Sequence, residues 1–164
     1  MARSVASLSR EAFIERFGGI YEHSIWVAEQ CFASAAAAGS AELADIFATC
    51  VDTADYETKL QLIRAHPDLA GRAAVRGELT ADSTDEQASA GIDQCTKAEY
   101  EQFVSFNSAY KAKFGFPFVM AVKNSNRLAI LNAFAERIEN DGDTEFETAI
   151  QEIHKIARLR LEAL

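Results

Sequence analysis

No apolar run in this sequence reaches the roughly 18–20 residues that span a bilayer, so no membrane partner is expected. The start, Met1-Ala2-Arg3-Ser4, leads into a polar, helix-like pattern and lacks the apolar core of a secretion signal. The ending Glu162-Ala163-Leu164 is not a peroxisomal address. These absences point to the cytoplasm. Positive charge is scarce too. Sixteen Lys and Arg stand against 25 Asp and Glu, a net charge of −9, which argues against a nucleic-acid partner. A local basic pocket for an anion stays compatible with that balance. Cysteine is limited to Cys31, Cys50 and Cys95, an odd and widely spaced set. It predicts buried thiols in a reducing compartment rather than a disulfide framework. With no CxxC and with His23, His66 and His154 far apart, no metal site is expected. A Ser-His-Asp order, a nucleophile elbow, a glycine-rich phosphate loop, internal repeats and linkers are all missing.

What is present is helical pattern. The chain has 164 residues, 49% of them hydrophobic, enough for one domain with a substantial core. The expectation is an all-α fold of about seven or eight helices, a single domain over 1–164. Ser9 can cap a helix through Phe13, Ile14 and Phe17, closed by Gly18-Gly19. Ser24 can cap a second, ending at Gly39. Ser40 can start a third with Leu43, Ile46, Phe47, Cys50 and Val51 on one face. A fourth carries Tyr56, Leu60 and Ile63 and stops at His66-Pro67. Residues 68–82 show no clean period and read as loop. Three capping boxes, Ser83…Glu86, Thr96…Glu99 and Thr144…Glu147, each predict a helix start. The first helix ends at Gly91, and the second carries Phe103, Phe106, Tyr110 and Phe114 and ends at Gly115. Ser125 can cap another with Leu128, Leu131, Phe134 and Ile138. Residues 116–122, continuously apolar around Pro117, predict an extended, buried connection.

Three side chains stand out chemically. His66 follows a helical pattern that Pro67 stops, so it sits at a helix end where the dipole favours its charged form. It is either a structural cap or a proton-moving group. In the last helix Phe146, Ile150, Ile153, Ala157 and Leu164 mark the buried face, and Arg160 fills the slot between the last two. A cation there either meets an anion or snorkels out from a frayed end. Glu86 is explained by its capping box, or it is a carboxylate at a helix N-terminus where Ser83 and free N–H groups offer polar contacts. Gln87 can add an amide, and Asp85 reads as a surface acid compensating the dipole. Arg158 and His154 fall off the buried stripe and should face solvent, and His23 reads as a turn residue.

Four stretches also resemble a family. They are Phe17-Gly18-Gly19-Ile20-Tyr21-Glu22-His23-Ser24 with Trp26-Val27-Ala28; His66-Pro67-Asp68-Leu69-Ala70-Gly71; Ser83-Thr84-Asp85-Glu86-Gln87-Ala88-Ser89-Ala90-Gly91; and Phe114-Gly115-Phe116-Pro117-Phe118-Val119-Met120-Ala121-Val122. With the ending Ile156-Ala157-Arg158-Leu159-Arg160-Leu161, they resemble the 2-oxo-4-hydroxy-4-carboxy-5-ureidoimidazoline (OHCU) decarboxylases of urate degradation, in order and over essentially the whole chain. The resemblance implies an all-helical, cofactor-free decarboxylase that converts OHCU to (S)-allantoin and CO2. It puts the catalytic histidine on His66, the site glutamate on Glu86 and the substrate-binding arginine on Arg160. Further substrate contacts carry onto Pro67, Ser83, Thr84, Asp85, Gln87, Phe118, Val119, Met120, Ala121 and Val122. The resemblance leans weakly towards a homodimer. A helical interaction module without catalysis is the alternative, and it predicts an exposed apolar groove and tolerance of His66→Ala. A hydrolase of 5-hydroxyisourate is disfavoured, because no His- and Arg-rich strand pattern and no Tyr-Arg-Gly-Ser ending are present.

Overall fold

The structure is a computed structural model and describes residues 5–38, 43–71 and 77–164. Among the described residues, eight α-helices and two short 3-10 turns make up the regular structure, with no strand. The all-α expectation holds. The chain divides into two compact units, one from Met1–Ala65 with His154–Leu164, the other His66–Ile153.

The first unit holds α1 (Arg10–Phe17), α2 (Trp26–Ala37), α3 (Leu43–Asp52) and α4 (Tyr56–Arg64). Ser9 caps α1 as expected, its hydroxyl accepting the Ala12 N–H at 3.2 Å. Ser24 does not cap α2. Its hydroxyl donates to the Glu22 carbonyl at 2.8 Å, and α2 begins after Ile25 without a side-chain cap. The expected helix boundaries at Gly39 and Ser40 lie outside the described residues. Asp55 caps α4 through the Thr58 N–H at 2.7 Å, and that bond holds its carboxyl below the ordinary range. Tyr56 is exposed, and Leu60, Leu62 and Ile63 form the buried face of α4. The core is aromatic. Phe13 meets Phe17 at 4.8 Å, Phe32 at 5.4 Å and Phe47 at 6.1 Å between centroids, mostly edge to face.

The second unit holds α5 (Ala81–Ser89), α6 (Lys97–Phe114) and α7 (Arg127–Arg137). The last helix, α8 (Gly142–Glu162), contributes residues up to Ile153 here and residues from His154 to the first unit. Only the Thr96…Glu99 box exists as drawn, with both reciprocal bonds, at 3.1 and 3.2 Å. In the other two, an acceptor three residues upstream takes the N–H first. Thr80 receives the Ser83 N–H at 3.2 Å, so Ser83 is already inside α5. Asp141 receives the Thr144 N–H at 2.7 Å, so α8 is under way before Thr144. Likewise Asn126, not Ser125, caps α7, and Leu128 faces out while Ile130 and Phe134 are buried.

Residues 116–122 are extended and largely buried, as expected. Non-helical backbone inside a core needs hydrogen-bond partners. Arg137 supplies one, donating from Nη1 to the Val119 carbonyl at 2.7 Å, while its guanidinium carbon lies 4.2 Å above the Phe118 ring. Phe118 stacks on Phe134 at 3.7 Å. Arg137 is neutralised in turn by fully buried Glu145, Nε to Oε1 at 2.8 Å. Glu145 also accepts from the Tyr110 hydroxyl at 2.6 Å and from Asn140 at 3.1 Å. Burial, then the carboxylate beside it, pushes the Tyr110 hydroxyl up, so it stays a donor.

Candidate active-site residues

Arg160 is 7% exposed, close to the end of α8. It does not snorkel. Its Nη2 donates to Glu22 Oε2 at 2.8 Å, with both side chains inaccessible, and Nη1 faces the carbonyls of Ile20 and Gly19 at 3.4 and 3.5 Å. This is the anion that periodicity required for a cation on the core stripe. Glu22 lies 138 residues away in the chain, in the turn between α1 and α2, and spacing rules cannot find a partner at that separation. The stripe ends at Arg160, because Leu164 is exposed. Arg158 is exposed as expected and pairs with Asp45 at 2.9 Å.

The turn that carries Glu22 is strained. His23 has φ of +46°, a left-handed conformation that costs a residue with a Cβ energy. Its ring is mostly exposed, with Nε2 3.8 Å from Glu22 Oε1. His154 corrects the sequence reading. It is only 13% exposed, with Nδ1 3.0 Å from the Tyr21 hydroxyl and Nε2 2.9 Å from Asp52 Oδ1. A position off the apolar stripe is polar, and here that polarity is satisfied by protein groups instead of water.

In the second unit, His66 is 8% exposed and follows the last residue of α4 by two positions, with half-buried Pro67 next. The turn after it is tightly built. Ala70 has φ of +53°. A Cβ on Gly71 would sit 2.6 Å from Asp68 Cβ, so only glycine fits there. Helices α5 and α6 hold this turn from outside. Asn107 donates to the Leu69 carbonyl at 2.9 Å, and Lys111 pairs with Asp68 at 2.6 Å. The Gln87 amide accepts the Ala70 N–H at 3.2 Å, and its Nε2 lies 3.5 Å from the Asp68 carbonyl. Gln87 therefore braces the turn behind His66. Asn107, a buried polar residue within an otherwise apolar face of α6, was not singled out from sequence.

Along α5, Ser83 and Gln87 are buried one turn apart and Glu86 beside them is half-buried. Thr84 and Asp85 are exposed, and the Thr84 hydroxyl donates back to the Thr80 carbonyl at 2.9 Å. Of the extended segment, Phe118, Val119 and Val122 are buried while Met120 and Ala121 are half-buried. Among the described residues no group of three or more His, Cys, Asp or Glu could hold a metal ion. The three thiols are free, with Cys31 buried and its thiol pushed up by that burial and by the neighbouring Cys50.

A family model described as OHCU decarboxylase matches residues 6–162. The chain is 45% identical to the 2-oxo-4-hydroxy-4-carboxy-5-ureidoimidazoline decarboxylase of Haloferax volcanii, covering 97% of this chain and 92% of that protein. It is 35% identical to the Xenopus laevis protein of the same name, over 96% and 90%. Among solved structures, it is similar to an (S)-allantoin synthase, with a TM-score of 0.78 and 32% identity over 97% of this chain. This chain spans 51% of that solved chain.

Proposed function

Because this chain belongs to the OHCU decarboxylase family, we propose that His66 moves the proton of the substrate's 4-hydroxyl, that Glu86 binds ring or ureido N–H groups, and that Arg160 holds an anionic or carbonyl oxygen. The enzyme decarboxylates OHCU to (S)-allantoin in urate degradation. An enzyme of this family is not a bare interaction module.

The substrate's chemistry sets the task. The carbon that loses CO2 adjoins a C=N bond, so the electron pair left behind moves into a new C=C bond while the ring nitrogen takes up a proton. The enol-like species then loses its hydroxyl proton and gains one on the neighbouring carbon, on a single face. Starting from the carboxylate, one proton is taken up for each CO2 released. The substrate supplies its own electron sink, so the reaction as proposed is cofactor-free. The protein's share is orientation, proton transfer and exclusion of water.

The observation that carries the residue assignment is Arg160, a buried guanidinium whose charge and orientation are set by Glu22 before any substrate binds. Its planar fork suits two-point contact with a carboxylate or carbonyl. The braced turn at residues 66–71 supports the role of His66, since a general acid–base must be held in one place. Ser83, Thr84, Asp85, Gln87 and Pro67 are proposed to line the substrate alongside Glu86. Phe118, Val119, Met120, Ala121 and Val122 are proposed to present backbone groups and an apolar wall that favours loss of charge as CO2.

We further propose one catalytic domain over 1–164, acting as a homodimer in the cytoplasm; no described helix is long and apolar enough to cross a membrane. Light scattering on purified protein tests the dimer. The assignment of His66 is tested on OHCU generated in situ from urate, with circular dichroism following the single allantoin enantiomer. His66→Gln should lose at least about a hundredfold in rate. A wild-type rate in that variant ends the assignment.

A further inference from the structure

We propose that His154, with Tyr21 and Asp52, is a positioning residue for the Glu22–Arg160 pair. The proposal rests on the assignment of Arg160 to a substrate oxygen. Tyr21 stands between Ile20 and Glu22, whose carbonyl and carboxylate both face Arg160. Its own hydroxyl reaches His154, which sits on α8 six residues before Arg160. The turn between α1 and α2 is thus gripped by α8 at two points, about 9 Å apart along the helix axis.

Tyr21 is 3% exposed, and that desolvation, with Asp52 nearby, pushes its hydroxyl up, so it keeps its proton. In the tautomer whose Nε2–H donates to Asp52, Nδ1 of His154 accepts from the Tyr21 hydroxyl. The Tyr21 ring packs edge-on to Phe47 at 6.2 Å. His23, two residues on, is held at φ of +46°, a conformation that persists only where neighbours over-determine it. The grip at Tyr21, together with the Ser24 hydroxyl on the Glu22 carbonyl, provides that constraint. Without it, the turn is free to relax and the two carbonyls and the carboxylate lose their shared aim at Arg160.

The test is steady-state kinetics on OHCU generated in situ, with far-UV circular dichroism as the check on folding. Tyr21→Phe removes one oxygen and keeps the ring. We expect KM to rise about three- to tenfold with kcat within about twofold. Asp52 is half exposed, so its variants leave the core intact. Asp52→Ala should raise KM about two- to threefold, and Asp52→Asn, whose amide oxygen still accepts the imidazole N–H, should restore it. In an Arg160→Lys background, itself raised in KM, adding Tyr21→Phe should change KM by less than about twofold. A wild-type KM in Tyr21→Phe overturns the proposal, and so does an equal effect with and without Arg160→Lys, the mark of a merely structural role. If Tyr21→Phe does not fold, Asp52→Ala decides, and a wild-type KM there overturns the proposal. A wild-type KM in Arg160→Lys alone refutes the assignment of Arg160 itself, a separate result that removes this inference with it.

Discussion

Glu22→Gln is the most informative single change in the first unit. It removes one charge, keeps the shape and keeps an acceptor oxygen near Arg160. At 2.8 Å, Coulomb's law with an effective dielectric of about 20 gives roughly 6 kcal/mol of attraction. Desolvation of two buried ions offsets much of that, and removing one partner of such a pair costs about 3–5 kcal/mol. The retained amide hydrogen bond returns about 1 kcal/mol. A loss of about 3 kcal/mol is therefore expected, a large share of the ordinary 5–15 kcal/mol. With a urea slope of about 2 kcal/mol/M, the unfolding midpoint should fall by roughly 1.5 M. Urea titration followed by circular dichroism reads this directly. The double variant Glu22→Leu/Arg160→Met buries no charge and should recover to within about 1 kcal/mol of wild type. It should not recover decarboxylase activity, because the proposed oxygen ligand is gone. A loss below about 1 kcal/mol in Glu22→Gln would refute the reasoning, since Glu22 could then not be the counter-charge of a buried Arg160.

Other outcomes follow from local geometry. Gly91 has φ of +74°, and a Cβ there would lie 2.9 Å from Arg127 Nη1, which already bonds the Gly91 carbonyl. Gly91→Ala should cost about 1–2 kcal/mol in a urea titration, whereas Gly142→Ala, with open space around its Cβ, should be neutral or slightly stabilising. Asp141 is held below the ordinary carboxylate range by the Thr144 N–H. A lowered folded-state pKa means that its contribution is present above the unfolded value and is lost as pH falls through the folded one. Asp141→Ala should thus lower Tm at neutral pH, and the gap to wild type should close in acid; a gap independent of pH would contradict the cap. Thr144→Ala, at the position the capping-box pattern favoured, should change Tm far less.

The errors in reading caps share a physical origin. Ser83 and Thr144 each have a competing acceptor three residues upstream, Ser125 has one in the next residue, Asn126, and each helix begins where the better-placed oxygen captures an N–H. Thr96 was legible because its box is reciprocal: Glu99 bonds back to it. The extended segment at 116–122 was legible because a proline in a continuous apolar run suits neither a helix nor a solvated loop. Arg160 was legible as an anomaly on a periodic face, while its partner Glu22 was not, because periodicity is local and that contact is not. The same limit hid the link between His154, Tyr21 and Asp52, which are far apart in sequence and form one chain of hydrogen bonds in space.

The carboxylate of Glu145 gathers Arg137, Asn140 and Tyr110 around one buried charge. Two of those partners lie only eight and five residues away. Closing so short a loop costs little chain entropy, whereas Tyr110 must come from 35 residues off. The α7–α8 corner can therefore assemble early in folding around a half-solvated ion pair, with Tyr110 and the Val119 carbonyl sealing it late. Chevron analysis should report this order as a high φ-value for Asn140→Ala and a low one for Tyr110→Phe. The group that most needs shelter from water would then also be the one around which the local chain first organises.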